Sequence, residues 1–146
     1  MRLLDANLLI YASDQSSPHH AQTRAWLDGV YEEDTRVLIP EPSILAFLRI
    51  TTNPRVMKKP LSPEQAIGWI DILLQHPKTS IPLRGSRHWE NFSKLVISAQ
   101  AKAHLIPDAF LAALALDHGA TVCSHDTDFK LFDGVRWENP LDAPQN

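Results

Sequence analysis

Cysteine is all but missing from this chain. Among 146 residues there is one, Cys123. That excludes an internal disulfide framework and suits a reducing compartment. No apolar run has the length needed to cross a bilayer. The N-terminus lacks the apolar segment of a secretion signal, because Asp5 and Asn7 interrupt it at once. Excess charge of either sign is lacking too. The net charge is −3, so nothing global advertises nucleic acid, and a polyanion partner must be met by a local basic patch or a bound metal. There is no internal repeat, low-complexity tract or domain-splitting linker. What remains is 44% hydrophobic and 21% charged, ordinary for a globular protein. The expectation is one cytoplasmic domain over residues 1–142, with no membrane segment and a disordered tail at 143–146.

Short apolar runs alternate with helical patterns. Strands are expected at Met1–Leu4, Val37–Ile39, Thr79–Leu83, Thr121–Cys123 and Val135–Trp137. Between them, Ser17-Pro18 reads as a helix start, with serine as N-cap and proline at the first helical position. Pro42–Thr52 carries an apolar stripe of Ile44, Leu45, Phe47 and Leu48, and Asn53-Pro54 ends it. Ser62-Pro63-Glu64-Gln65 is a capping box opening a helix to about Gln75. Ser86 opens a helix through Trp89, Phe92, Leu95 and Val96 to about His104, and Pro107–Asp117 forms another, closed by Gly119. Strands alternating with helices imply an α/β fold with a mainly parallel sheet covered on both faces.

The stretch Thr121–Phe129, TVCSHDTDF, organises the chemistry. It is an apolar strand that breaks into Asp126 and Asp128, which places acids at the carboxyl edge of a sheet, where open α/β sheets bind ligands. Asp5 in RLLDANLLIY and Asp108 in IPDAFLAALAL repeat the pattern of an acid beside an apolar run. Each acid alone also reads as a cap or turn residue, and Asp108 in particular as an N-cap. Together they carry a stronger implication. Two carboxylates about 4 Å apart repel by roughly 4 kcal/mol at an effective dielectric of ~20, so several in one place require a cation. An all-oxygen set suits Mg²⁺ or Mn²⁺ and not zinc.

The segments LLDANLLIYA, FLRITTNPRV, IPDAFLAALALDHGATVCSHDTDF and FDGVRWENPL, in this order, resemble the PIN-domain ribonuclease toxins of the VapC type. The resemblance runs from Arg2 to Leu141. It implies a three-layer α/β/α fold around a parallel sheet of about five strands. It also implies a Mg²⁺- or Mn²⁺-dependent endoribonuclease, a homodimer, held inactive by a cognate antitoxin of a type II toxin–antitoxin pair. Asp5, Asp108 and Asp126 would be the metal ligands, with Asp128 assisting, Asn7 close by, and Ser124 or Thr127 tuning the site. One departure stands out. The wider PIN pattern has a glutamate in the helix after the second strand, where this chain has Ala46 and Phe47. The nearest acid is Glu41, which either reaches the site or serves the helix dipole.

Substrate contacts are less marked. Arg49, Arg55, Lys58 and Lys59 form a basic strip with no acid between Pro42 and Pro63, suited to phosphates or simply solvated. Arg49 can hold a phosphate or pair with an acid, and His125, beside Asp126, is a lesser candidate for touching substrate. Trp89, Phe92, Phe110, Phe129 and Trp137 read as core, and Cys123 as inert. Two other functions compete with RNA hydrolysis. One is a PIN-like module that binds RNA or protein without cutting. An aspartate-dependent phosphatase would use Asp5 as nucleophile, but the acid it needs two residues on is Asn7, and no Gly-rich phosphate loop follows.

Overall fold

The computed structural model describes residues 1–142, so the expected tail at 143–146 lies outside the described residues. Among the described residues, five parallel strands form one sheet: β1 (Arg2–Leu4), β2 (Val37–Leu38), β3 (Thr79–Ser80), β4 (Thr121–Cys123) and β5 (Trp137–Glu138). Their spatial order is β3-β2-β1-β4-β5. Leu3 pairs with Leu38 on one side and with Val122 on the other. Six helices connect them: α1 (Ala6–Ser13), α2 (His20–Glu32), α3 (Glu41–Thr51), α4 (Pro63–Gln75), α5 (His88–Ser98) and α6 (Leu105–His118).

The strand period of two sorts the core into two layers. Leu3, Leu38 and Val122 face one way and pack with Leu95 of α5 and Ala109, Leu111 and Ala112 of α6. Leu4, Val37, Ile39 and Cys123 face the other way, against Leu8 and Leu9 of α1, Leu27 and Val30 of α2, Phe47 of α3 and Ile70 of α4. This is the expected α/β/α sandwich, with strands apolar on both faces. Burying each such side chain contributes roughly 1.5–3 kcal/mol. The alanines of α6 let that helix lie close to the sheet, and Gly119, at φ 61°, closes it in the left-handed conformation.

Several element boundaries differ from expectation. Ser17 does not open α2. Its hydroxyl accepts from the His19 N–H in a local turn, and the helix begins at His20. Ser86 does not cap α5, which starts at His88 and ends at Ser98, before the left-handed residues Gln100 and Ala103. α6 begins at Leu105 with His104 as N-cap residue, so Asp108 lies inside the first turn and is not the cap. The last strand is Trp137–Glu138 and not Val135–Trp137. Leu45 and Trp89 were expected inside, yet they are 67% and 75% exposed. Helical spacing alone cannot tell a core stripe from an apolar surface. The capping box at Ser62 and Gln65 is present as read, with both reciprocal hydrogen bonds.

Candidate active site

The strand order has a switch point between β1 and β4. From β1 the chain builds outward through β2 and β3, and on the other flank through β4 to β5. At such a point the connections diverge and leave a crevice at the carboxyl edge. Four aspartates are delivered there by three different routes. Asp5 ends β1, its N–H bonded to the Cys123 carbonyl at 3.0 Å. Asp126 and Asp128 follow β4. Asp108 arrives on α6, which precedes β4 and runs back along the sheet, bringing its first turn to the same edge.

Oxygens of Asp108, Asp126 and Asp128 lie within 4.8 Å of one another. At that spacing each charged pair repels by roughly 3.5 kcal/mol at a dielectric near 20. The consequence falls on Asp108. Burial, and then the charges of Asp5, Asp126 and Asp128, push its carboxyl up to about 7, with His104 opposing. Asp5 is also raised, chiefly by burial and further by Asp126.

Asp5 is held by a network centred on Ser124, a fully buried residue. The Ser124 hydroxyl donates to Asp5 Oδ2 at 2.6 Å. It accepts from Asn7 Nδ2 at 3.0 Å and from the Asp126 N–H at 3.0 Å. Asn7 also donates to Asp5 Oδ2 at 3.3 Å. The other Asp5 oxygen accepts from the Ala6 N–H at 2.7 Å, so Asp5 is itself the N-cap of α1, a role the sequence did not force on it. Asp126 Oδ1 accepts from the Asp128 N–H at 2.9 Å and caps the short 3₁₀ helix Thr127–Leu131. Asp128 Oδ2 lies 3.4 Å from His104 Nε2.

Other expected residues stand outside this group. Thr127 is exposed at the start of the 3₁₀ helix. Glu41 occupies the first turn of α3, where it faces the positive end of the helix dipole, and it lines a groove with Pro82, Leu83, Arg84 and Phe110. Arg49 is exposed in the last turn of α3. Arg55, Lys58 and Lys59 are exposed in the connection to α4, with Lys59 beside Asp14 and Ser16 at the far end of α1. Cys123 is buried, and burial drives its thiol pKa upward, in line with an inert side chain.

Two contributors were not legible in the sequence. Ser43, buried in α3, donates to the Leu4 carbonyl at 2.8 Å and ties that helix to the residue before Asp5. Trp137 Nε1 donates to the Ser124 carbonyl at 3.1 Å and anchors the turn that carries the acids. A serine or tryptophan in an amphipathic pattern gives no signal of such a role.

The donor set is oxygen only, so it fits a hard divalent cation that keeps part of its water, and does not fit zinc. The comparisons with known proteins bear on the family and the fold. Residues 2–135 match the PIN domain family. Ribonuclease VapC37 of Mycobacterium tuberculosis is 36% identical over 140 residues, covering 96% of this chain and 97% of the relative. VapBC2 from Rickettsia felis, solved with a promoter DNA fragment, superposes with a TM-score of 0.72 at 16% identity, covering 94% of this chain and 97% of that one. A toxin–antitoxin complex from Klebsiella pneumoniae gives 0.63 at 16% identity, with 96% and 98% covered. With strands, layers and relatives in agreement over nearly its whole length, this chain belongs to the PIN domain family.

Proposed function

We propose that this chain is a divalent-metal-dependent endoribonuclease and the toxin of a toxin–antitoxin pair. One observation carries the chemistry: oxygens of Asp108, Asp126 and Asp128 lie within 4.8 Å of one another at the switch-point crevice, where burial and then the charges of Asp5, Asp126 and Asp128 push the Asp108 carboxyl up to about 7. Asp108 and Asp126 with Asp5 would hold Mg²⁺ or Mn²⁺, and Asp128 would support them. When bound, such an ion activates water and neutralises charge on the phosphoryl oxygens. The chain's own part is orientation. Ser124 and the Ala6 N–H fix both Asp5 oxygens, and the Asp128 N–H fixes one oxygen of Asp126.

RNA as substrate is supported by relatives named as ribonucleases, and an antitoxin partner by the relatives solved as toxin–antitoxin complexes. A homodimer surface is supported by exposed Leu45, Leu83 and Trp89 on the flank around Arg84. The phosphatase alternative loses ground because Asn7 is engaged with Asp5 and Ser124 and offers no acid.

The test is cleavage of total RNA with added Mg²⁺ or Mn²⁺. Activity that disappears with EDTA and in folded Asp5→Asn and Asp108→Asn proteins is the expected result. RNA binding without cutting at any divalent ion would establish the binding-module reading instead.

A further inference from the structure

On the α1 side of the acids, three rings form a cluster that the chemistry above does not use. Tyr11 and His19 have centroids 4.8 Å apart, as do His19 and His125, and Tyr11 and His125 are separated by 6.0 Å. His125 lies between Ser124, which bonds Asp5, and Asp126, and its N–H is 3.4 Å from Asn7 Oδ1. Tyr11 lies one helical turn beyond Asn7, on the same face of α1. Its phenol is close enough to Asp5 for that charge, after burial, to raise its pKa. All three rings are partly exposed.

The cluster is held in place from outside. His20 Nδ1 is 2.9 Å from the Tyr11 carbonyl, which fixes the turn that brings His19 over Tyr11. Asn139 Oδ1 accepts from the Leu141 N–H at 3.1 Å, and the Asn139 amide meets His125 Nδ1 at 3.2–3.3 Å. That contact holds the His125 ring in place.

We propose that Tyr11, His19 and His125 form a stacking platform for one unpaired RNA base next to the scissile phosphate. This rests on the nuclease reading and adds to it a contact with one base. The division of labour follows from charge. The four acids repel phosphate unless a cation intervenes, whereas phenol and imidazole rings offer π faces on which any base stacks. Tyr11 packs along the edge of the apolar layer around Leu8 and Leu9, and none of the three residues is fully buried.

The probe is a 12-nucleotide single-stranded RNA of randomised sequence carrying 2-aminopurine at one position, titrated with the full chain in Ca²⁺. Stacking on the platform quenches the fluorescence, and His19→Ala or Tyr11→Leu weakens binding by about 5- to 100-fold. His19→Phe, which keeps a ring, restores the quenching and serves if the alanine protein is poorly folded. A 12-nucleotide RNA backbone abasic at every position, with binding followed by anisotropy, abolishes the difference between wild type and variants. A merely structural role for the rings predicts equal losses on both RNAs, and that result, or no quenching by wild type, overturns the proposal. The two readings separate cleanly. Quenching without cleavage at any divalent ion supports the platform and sinks the nuclease. Cleavage that the ring variants leave unchanged, with no quenching, sinks the platform alone.

Discussion

Removing one charge from the acid cluster should stabilise the metal-free protein, although it destroys the site. A carboxyl moved from 3.8 to about 7 carries, unscreened, roughly 4 kcal/mol of preference for its neutral form. Asp108 is only half-buried and open to counter-ions, so about 1–2 kcal/mol is the working figure. The sign follows from proton counting. Between about pH 4 and pH 7 the folded chain keeps a proton on Asp108 that the unfolded chain has lost. Stability in EDTA therefore falls as pH rises through that window and levels off above it. Asp108→Asn has no such proton. It should match wild type near pH 4 and exceed it by about 1–2 kcal/mol at pH 8, a melting shift of about 3–6 °C for a chain of this size.

Manganese should reverse the ranking. At a hundredfold excess over its dissociation constant, a ligand bound only by the folded state adds about 2.7 kcal/mol. Wild type should gain this at pH 8, and Asp108→Asn should gain little. Thermal melts in EDTA and in Mn²⁺ at pH 4, 6 and 8 decide the matter. An Asp108→Asn protein less stable than wild type in EDTA at pH 8 would refute the repulsion. Equal stabilisation of both proteins by Mn²⁺ would remove Asp108 from the metal site.

Three further predictions concern the surroundings. Ser124→Ala leaves the Asn7 amide and the Asp126 N–H without their acceptor, so urea unfolding should show a loss of about 1–3 kcal/mol, with weaker Mn²⁺ binding because Asp5 is no longer held. Glu41→Gln should leave Mn²⁺ affinity and the pH dependence of stability as in wild type, since Glu41 lines the groove by Arg84; a large fall in affinity would assign it to the site. His88→Leu removes the partner 2.6 Å from the Asp117 carboxylate, whose side chain is 1% exposed, and should cost about 3–5 kcal/mol in urea unfolding. A loss below 1 kcal/mol would mean that Asn91 and the Gly85 N–H suffice for Asp117.

The layered fold was legible because parallel strands buried on both faces leave continuous apolar runs, as at Val37–Ile39 and Thr121–Cys123, and because Ser62 with Gln65 carries its own cap chemistry. The boundaries around Ser17 and Ser86 were not. A serine hydroxyl satisfies a nearby N–H equally well in a turn and at a helix start, so the tertiary fit chooses between them. The acids of the site were legible as a pattern of charge beside apolar runs, but their grouping depends on the crossing of the chain between β1 and β4, which no local window contains. The same limit explains why Ser43, Ser124 and Trp137 gave so weak a signal. Their partners are a carbonyl 39 positions away, a carboxylate 119 away and a carbonyl 13 away. A neutral side chain that acts by holding another has no composition or spacing of its own. Charge announces itself in sequence because burying it is costly, whereas the hydroxyls and rings that aim the charge become visible only once the fold has brought them together.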